Sequence, residues 1–277
     1  MVKNRAAKMA AHAIKSERGI DYPRALAQVA GRRDLHLVLG TDSAGGLVRW
    51  NCLPGARSLS IQGPADSGKT ALLRRMSAQA SAHADVYACF EGSDALPGLK
   101  GCATEAADVW DLLLTVRKSV AAVLTEAREH ASSIVPASAR NSLAARLVRQ
   151  YASVEGLPVD RRPRPAIVLV DDFDALCRGW EWDGVDLTGA DGPEALIAQL
   201  AKDGRAAGVS VVIAGRSLSR GRGTDLGLAE KLLLGPATLA ERESFLYSEV
   251  ADLEIGLGEG IFEPGLDDPV VVHFERQ

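Results

Sequence analysis

Three observations predict an α/β fold with a mostly parallel sheet, helices on both faces and a phosphate-binding loop. Short apolar runs recur between stretches of helical periodicity, and strands that alternate with helices in this way pair in parallel under two helical layers. The octapeptide GPADSGKT, Gly63 to Thr70, stands between an apolar run and a helical one. About a hundred residues later the run IVLV, Ile167 to Val170, ends in Asp171 and Asp172. Together they predict a P-loop nucleotide-binding domain over residues 35–277, preceded by a basic helical arm over residues 1–34.

The apolar content suits such a core: of 277 residues, 47% are hydrophobic and 25% charged. The longest apolar runs, such as Val209 to Gly215, are far too short to cross a bilayer, and the basic N-terminus lacks the apolar stretch of a secretory signal. A cytoplasmic protein without direct membrane insertion is expected, any membrane anchor belonging to a partner protein. Cys52, Cys89, Cys102 and Cys177 are scattered with no C-x-x-C pair, which suits buried packing in a reducing compartment. The histidines are isolated, so no metal site beyond a nucleotide-bound ion is expected.

The formal net charge of −4 is unevenly spread. Residues 1–34 carry eight Lys and Arg against three acids, and residues 241–277 carry ten acids against two arginines. This polarity either steers an anionic partner to the front end or marks two solvated faces. The overall acidity argues against a monomer that coats DNA non-specifically.

Along the chain, residues 1–31 read as two short helices broken at Gly19, the second opened by Pro23. LHLVLG and GLVRW, separated by TDSAGG, read as a β-hairpin. A strand over Ser58–Gln62 leads into the glycine-rich loop, a helix follows over Lys69–Ala82, and Asp85–Phe90 is a buried strand. From Glu105 to about Val154, Val109, Leu112, Leu113, Val116, Val120 and Leu124 recur at helical spacing, and Pro136 divides the stretch into two helices. RRPRP, Arg161 to Pro165, turns the chain into the strand that ends at Asp171. Gly179–Gly192 reads as an irregular loop, too polar for a strand and too glycine-rich for a helix. Pro193–Ala207 is a helix, Val209–Ala214 a buried strand, and Lys231–Leu234 and Val270–Phe274 are shorter strands.

In a loop of the GPADSGKT kind, glycines let consecutive backbone N–H groups curl around phosphate oxygens at a helix N-terminus. Gly63 and Gly68 supply the turns, Lys69 the charge for the terminal phosphates, and Thr70 the hydroxyl for a metal ion. Pro64, Ala65, Asp66, Ser67 and Ala71 complete the nucleotide-binding set, and the cofactors expected are ATP and Mg²⁺. Asp171 is the expected second metal-side group. Asp172 falls where many P-loop ATPases place a glutamate that polarises the attacking water, and it is shorter by one methylene. Slow hydrolysis is therefore expected.

The glycine-rich loop, the VDDFDAL segment and LAKDGRAAGVSVVIAGRSLS together resemble the ATPase core of FtsK/SpoIIIE-type DNA translocases, with GRAAG, Gly204 to Gly208, the most specific part. AEKLLLGPATLAERESFL and GLGEGIF are similar to the family's closing segments, so the resemblance covers roughly residues 35–275. Asp171 to Asp174 also looks like the ATPase modules of type VII secretion motors. The resemblance implies a RecA-like core, a homo-hexameric ring, ATP hydrolysis and double-stranded DNA as a partner. A slow ATPase module of a secretion or scaffolding assembly is the other reading.

The chain also departs from the family. The strand after GRAAG usually ends Ala-Thr-Gln, whose glutamine senses the γ-phosphate; here it ends Ala214-Gly215-Arg216. Arg205 occupies a basic position able to reach a neighbouring subunit's nucleotide, and Arg205 and Arg216 are either nucleotide contacts of this kind or surface ion-pair partners. The basic arm either binds nucleic acid or packs on a partner. Arg140, Arg146, Arg149, Arg161, Arg162 and Arg164 form either a phosphate track or a mixed-charge helix face. Trp180 and Trp182 mark either an interface or a lid on the sheet edge.

Overall fold

The computed structural model describes residues 35–52, 58–136, 138, 141–177, 181–182, 185–186, 192–218, 230–246, 253–264 and 268–274. The expected basic arm, Arg140 and Trp180 lie outside them.

The first described elements are the expected hairpin, β1 (His36–Thr41) and β2 (Leu47–Asn51), paired antiparallel. Asp42 fixes its turn, one carboxylate oxygen accepting the N–H groups of Ala44 at 2.9 Å and Gly46 at 2.7 Å. Next come β3 (Leu59–Gln62), α1 (Lys69–Ala80), β4 (Asp85–Cys89) and β5 (Gly101–Ala103). The long helical stretch divides as predicted, into α2 (Ala106–Ser133) and α3 (Leu143–Gln150). Ser142 caps α3, its hydroxyl accepting the N–H of Ala145 at 3.1 Å. There follow β6 (Ala166–Val170), α4 (Phe173–Cys177), β7 (Glu181–Trp182) and β8 (Val185–Asp186). The remainder is α5 (Pro193–Ala207), β9 (Val209–Gly215), β10 (Glu230–Leu234), α6 (Leu239–Phe245), β11 (Glu259–Glu263) and β12 (Val270–His273).

Ten of these strands form one sheet in the order β2-β1-β12-β11-β10-β3-β9-β6-β4-β5. From β10 to β5 the pairings are all parallel; from β10 outward through β11, β12, β1 and β2 they are antiparallel. The hairpin therefore extends the main sheet. One reading is corrected: the polar segment 179–192, expected to be wholly irregular, contains the two-residue strands β7 and β8, paired as a small hairpin.

The central strands read as continuous apolar runs because both faces of the sheet are covered. Every residue of β3, β6, β9 and β10 is buried. On one face Leu72, Leu73, Met76 and Ala80 of α1 pack with Leu59, Ile61, Ile167, Leu169, Val212 and Ala214. Each large apolar side chain buried there contributes roughly 1.5–3 kcal/mol. The alternate residues Val168, Val211 and Ile213 are equally buried on the other face, and α5 packs against β9.

Two compact units divide the chain. One comprises Leu35–Ala122 and Arg164–Gln277, and holds the whole ten-stranded sheet. The described part of the other lies within Val123–Pro163 and comprises the C-terminal part of α2 with α3 and two 3-10 turns. No helix among the described residues is long and apolar enough to cross a membrane.

Candidate functional site

Parallel strands present their C-terminal ends on one edge, where crevices between strands of different connection form ligand sites. Here β3 delivers Gly63, β6 delivers Asp171 and β9 delivers Arg216 to that edge, with β9 inserted between the other two. The strand ends are tied together: Gly63 donates its N–H to the Gly215 carbonyl at 3.2 Å, and Asp171 to that of Cys89 at 3.0 Å. A cavity of about 720 Å³ opens there, lined among others by Ala65, Asp66, Lys69, Thr70, Asp171, Asp172 and Arg216.

The loop from Gly63 to Gly68 runs from β3 into α1, Gly68 taking the N-cap position with φ 92°. No side chain caps α1, which leaves the amides of its first turn to an outside acceptor. Gly63 is buried in the cradle, where a Cβ would stand 2.6 Å from the Ser67 hydroxyl and 2.9 Å from Leu234 Cβ. Pro64 and Ser67 are half-buried, while Ala65, Asp66, Gly68 and Ala71 are exposed.

Lys69 bends back over its own loop. Its Nζ donates to the carbonyl oxygens of Gly63 at 2.8 Å and Pro64 at 2.6 Å, and to the Ser67 hydroxyl at 3.4 Å. Burial pulls the ammonium pKa below its ordinary value; nearby Asp171 opposes that shift and Arg216 adds to it. Thr70 donates its hydroxyl to Asp171 Oδ2, and Asp171 Oδ1 accepts the N–H of Asp172 at 2.9 Å. The glycine-lined loop, the lysine and this hydroxyl–carboxylate pair fit a magnesium–nucleotide phosphate.

Asp172 is exposed and lines the cavity with φ 46°, in the left-handed region. Aspartate tolerates that conformation better than most residues. Its carbonyl accepts the N–H groups of Ala175 at 2.8 Å and Leu176 at 3.1 Å, which starts α4. Arg205 is the one expected site residue away from this edge: it is exposed near the C-terminus of α5, at the opposite end of β9.

Three lining or supporting residues were not anticipated. Arg74, one turn beyond Thr70 on α1, donates to the Glu91 carbonyl at 3.1 Å, and both residues line the cavity. Asp174 is buried beneath the loop that carries Arg216. The i, i+4 step from Thr70 could have found Arg74; the place of Glu91 depends on β4 lying beside β6.

The fold and the loop define a P-loop architecture, and solved structures of ATPases share that fold. The cytoplasmic domain of the type VII secretion ATPase EccC of Thermomonospora curvata is similar with a TM-score of 0.59, 16% identity, and coverage of 90% of this chain and 27% of that one. EccC ATPases 2 and 3 in complex with a signal sequence peptide give a TM-score of 0.60 and 16% identity, over 91% of this chain and 42% of that one. The pCW3 conjugation coupling protein TcpA, in its monomer form with ATPγS, gives 0.62 and 20%, over 87% and 66%. This chain thus spans between about a quarter and two thirds of those chains. Its structural neighbours are FtsK/SpoIIIE-type ATPases, as the sequence resemblance implied. No protein-family model matches the sequence, and no curated protein does.

Proposed function

We propose that the chain is the ATP-binding module of an FtsK/SpoIIIE-type motor that couples ATP hydrolysis to movement or transfer of double-stranded DNA. The observation that carries the nucleotide reading is the convergence of Lys69, Thr70 and Asp171 on one cavity at the C-terminal edge of the parallel strands. In this reading the phosphates rest on the amides of the loop and of the first turn of α1. Lys69 exchanges the carbonyls of Gly63 and Pro64 for phosphate oxygens. Thr70 and Asp171 hold Mg²⁺, which when bound neutralises charge on the phosphates and orients them. Asp172 orients the attacking water, and its exposure at the cavity mouth leaves it access to solvent.

DNA as the substrate is supported by the GRAAG resemblance and by the likeness to a conjugation coupling protein. A second reading, a slow ATPase module of a protein-secretion assembly, is supported by the likeness to EccC, one of whose structures holds a signal sequence peptide. In either case the working form is a homo-hexameric ring in the cytoplasm, attached to a membrane-anchored partner where a membrane is involved. An ATPase assay with and without long duplex DNA, with oligomeric state measured in parallel, separates the two. Turnover stimulated severalfold by DNA in a ring is expected; turnover indifferent to DNA favours the secretion reading.

A further inference from the structure

Asp174 lies in the first turn of α4 with only 6% of its surface exposed, a costly place for a carboxylate unless it is hydrogen-bonded. Its Oδ2 accepts the backbone N–H groups of Arg216 at 2.5 Å and Ser217 at 3.1 Å. These two amides follow β9 directly, so the carboxylate clamps the strand end that carries Arg216 to the cavity. The clamp depends on the residue before: a Cβ at Gly215 would stand 2.5 Å from that same oxygen. Glycine makes room for the acid, and the acid fixes the arginine. The turn that supplies Asp174 is also the one that Asp172 starts, so the ends of β6 and β9 at the cavity are both tied to one short element.

We propose that Asp174 is a positioning residue that holds Arg216 at the phosphate cavity of its own chain, where the arginine distinguishes a nucleoside triphosphate from a diphosphate. This rests on the nucleotide-binding reading above. Arg216 lines the cavity with Lys69 and adds positive potential there. An additional phosphate therefore meets a second cation whose backbone cannot drift away.

Calorimetric titration with ATPγS and with ADP tests this. Wild type is expected to bind both. Arg216→Ala and Asp174→Ala each weaken ATPγS binding by about tenfold or more, leaving ADP within about twofold, because one charge-assisted contact is lost or misplaced. The double variant loses no more than either alone. Asp174→Asn keeps an acceptor oxygen in the clamp and recovers most of the preference. A purely structural role predicts equal weakening for both nucleotides, and that result overturns the proposal. Should Asp174→Ala fail to fold, Gly215→Ala displaces the carboxylate from the other side, and an unchanged ATPγS preference there overturns the proposal as well. Lys69→Ala separates the two levels. If wild type binds neither nucleotide, or no better than Lys69→Ala, the nucleotide reading fails with the clamp. If Lys69→Ala abolishes binding but Asp174→Ala leaves the ATPγS-to-ADP ratio unmoved, the clamp alone fails.

Discussion

The hydroxyl of Thr70 donates directly to Oδ2 of Asp171, so the two residues proposed as metal ligands face each other across 101 positions of sequence. One follows β3 into α1 and the other ends β6, with β9 between the two strands. Both side chains are thus set by the sheet, and a cation held as proposed would exchange that hydrogen bond for coordination.

The first prediction follows from how Lys69 is held. Its ammonium satisfies two loop carbonyls while half-buried, and burial disfavours its charge. Lys69→Ala should lower ATP affinity by about a hundredfold or more, since charge-assisted bonds of roughly 1.5–3 kcal/mol each are lost. Melting temperature should stay within a few degrees, because the variant also removes a desolvated charge. Calorimetry and thermal unfolding measure the two; unchanged affinity would remove the phosphate role of the loop.

Asp172 supplies the second. Its φ of 46° gives a backbone reason for aspartate at a place where a longer acid would reach farther. Asp172→Glu should raise turnover and cost about 1 kcal/mol of stability, the strain of a less tolerant residue in the left-handed region. Asp172→Asn should lower turnover without loss of ATP binding. Steady-state rates and denaturant titrations decide; a faster enzyme with no loss of stability would contradict the strain argument, and no gain in rate would contradict the reach argument.

How far these features were legible depends on the range of the interactions that create them. The hairpin, the loop after β3 and the strands β6 and β9 have strong local signals, and each occurs where its pattern places it. α6 also has one, the capping box in which Thr238 and Glu241 satisfy each other's amides. β5 has only three residues, and β11 begins in the glycine-rich GLGEG stretch, so neither shows a period. Strand order is a non-local property: nothing near Val209 says that β9 lies between β3 and β6. Asp174 was hidden for the same reason, since its partners lie 42 and 43 residues downstream.

A third prediction concerns alkaline stability. Burial pushes the thiols of Cys52 and Cys89 from an ordinary 9.0 up to about 12. The protonated Cys52 thiol also donates to the Leu35 carbonyl at 3.0 Å. In the unfolded chain both ionise from about pH 9 upward, whereas the folded chain keeps the protons. Their stabilisation is therefore complete below pH 9 and declines as pH rises toward 12. The decline approaches about 1.4 kcal/mol per pH unit for each thiol. Denaturant titrations between about pH 8.5 and 10.5 should show a shallower slope in the Cys52→Ala/Cys89→Ala double variant than in wild type. Equal slopes would mean the buried thiols ionise as readily as exposed ones.

The last prediction concerns assembly and Arg205. The arginine stands at the start of β9 and its own phosphate cavity at the end, about 20 Å away at the usual rise per residue. It is exposed, so reaching its own nucleotide is ruled out by length while a neighbour's is not. In other NTPases an arginine in trans stabilises charge developing on the transferred phosphoryl group, and removing it costs about a thousandfold in rate. If a neighbouring subunit's cavity is what Arg205 serves, Arg205→Ala should leave ATP affinity within a few-fold and abolish DNA-stimulated turnover. Mixing it with Lys69→Ala subunits should restore part of the activity, because some interfaces then combine an intact loop from one subunit with an intact arginine from the next. Mass photometry would confirm that both variants share one ring. Mixed rings with no recovered turnover would refute the trans role, and a protein that stays monomeric with ATP at high concentration would refute the ring.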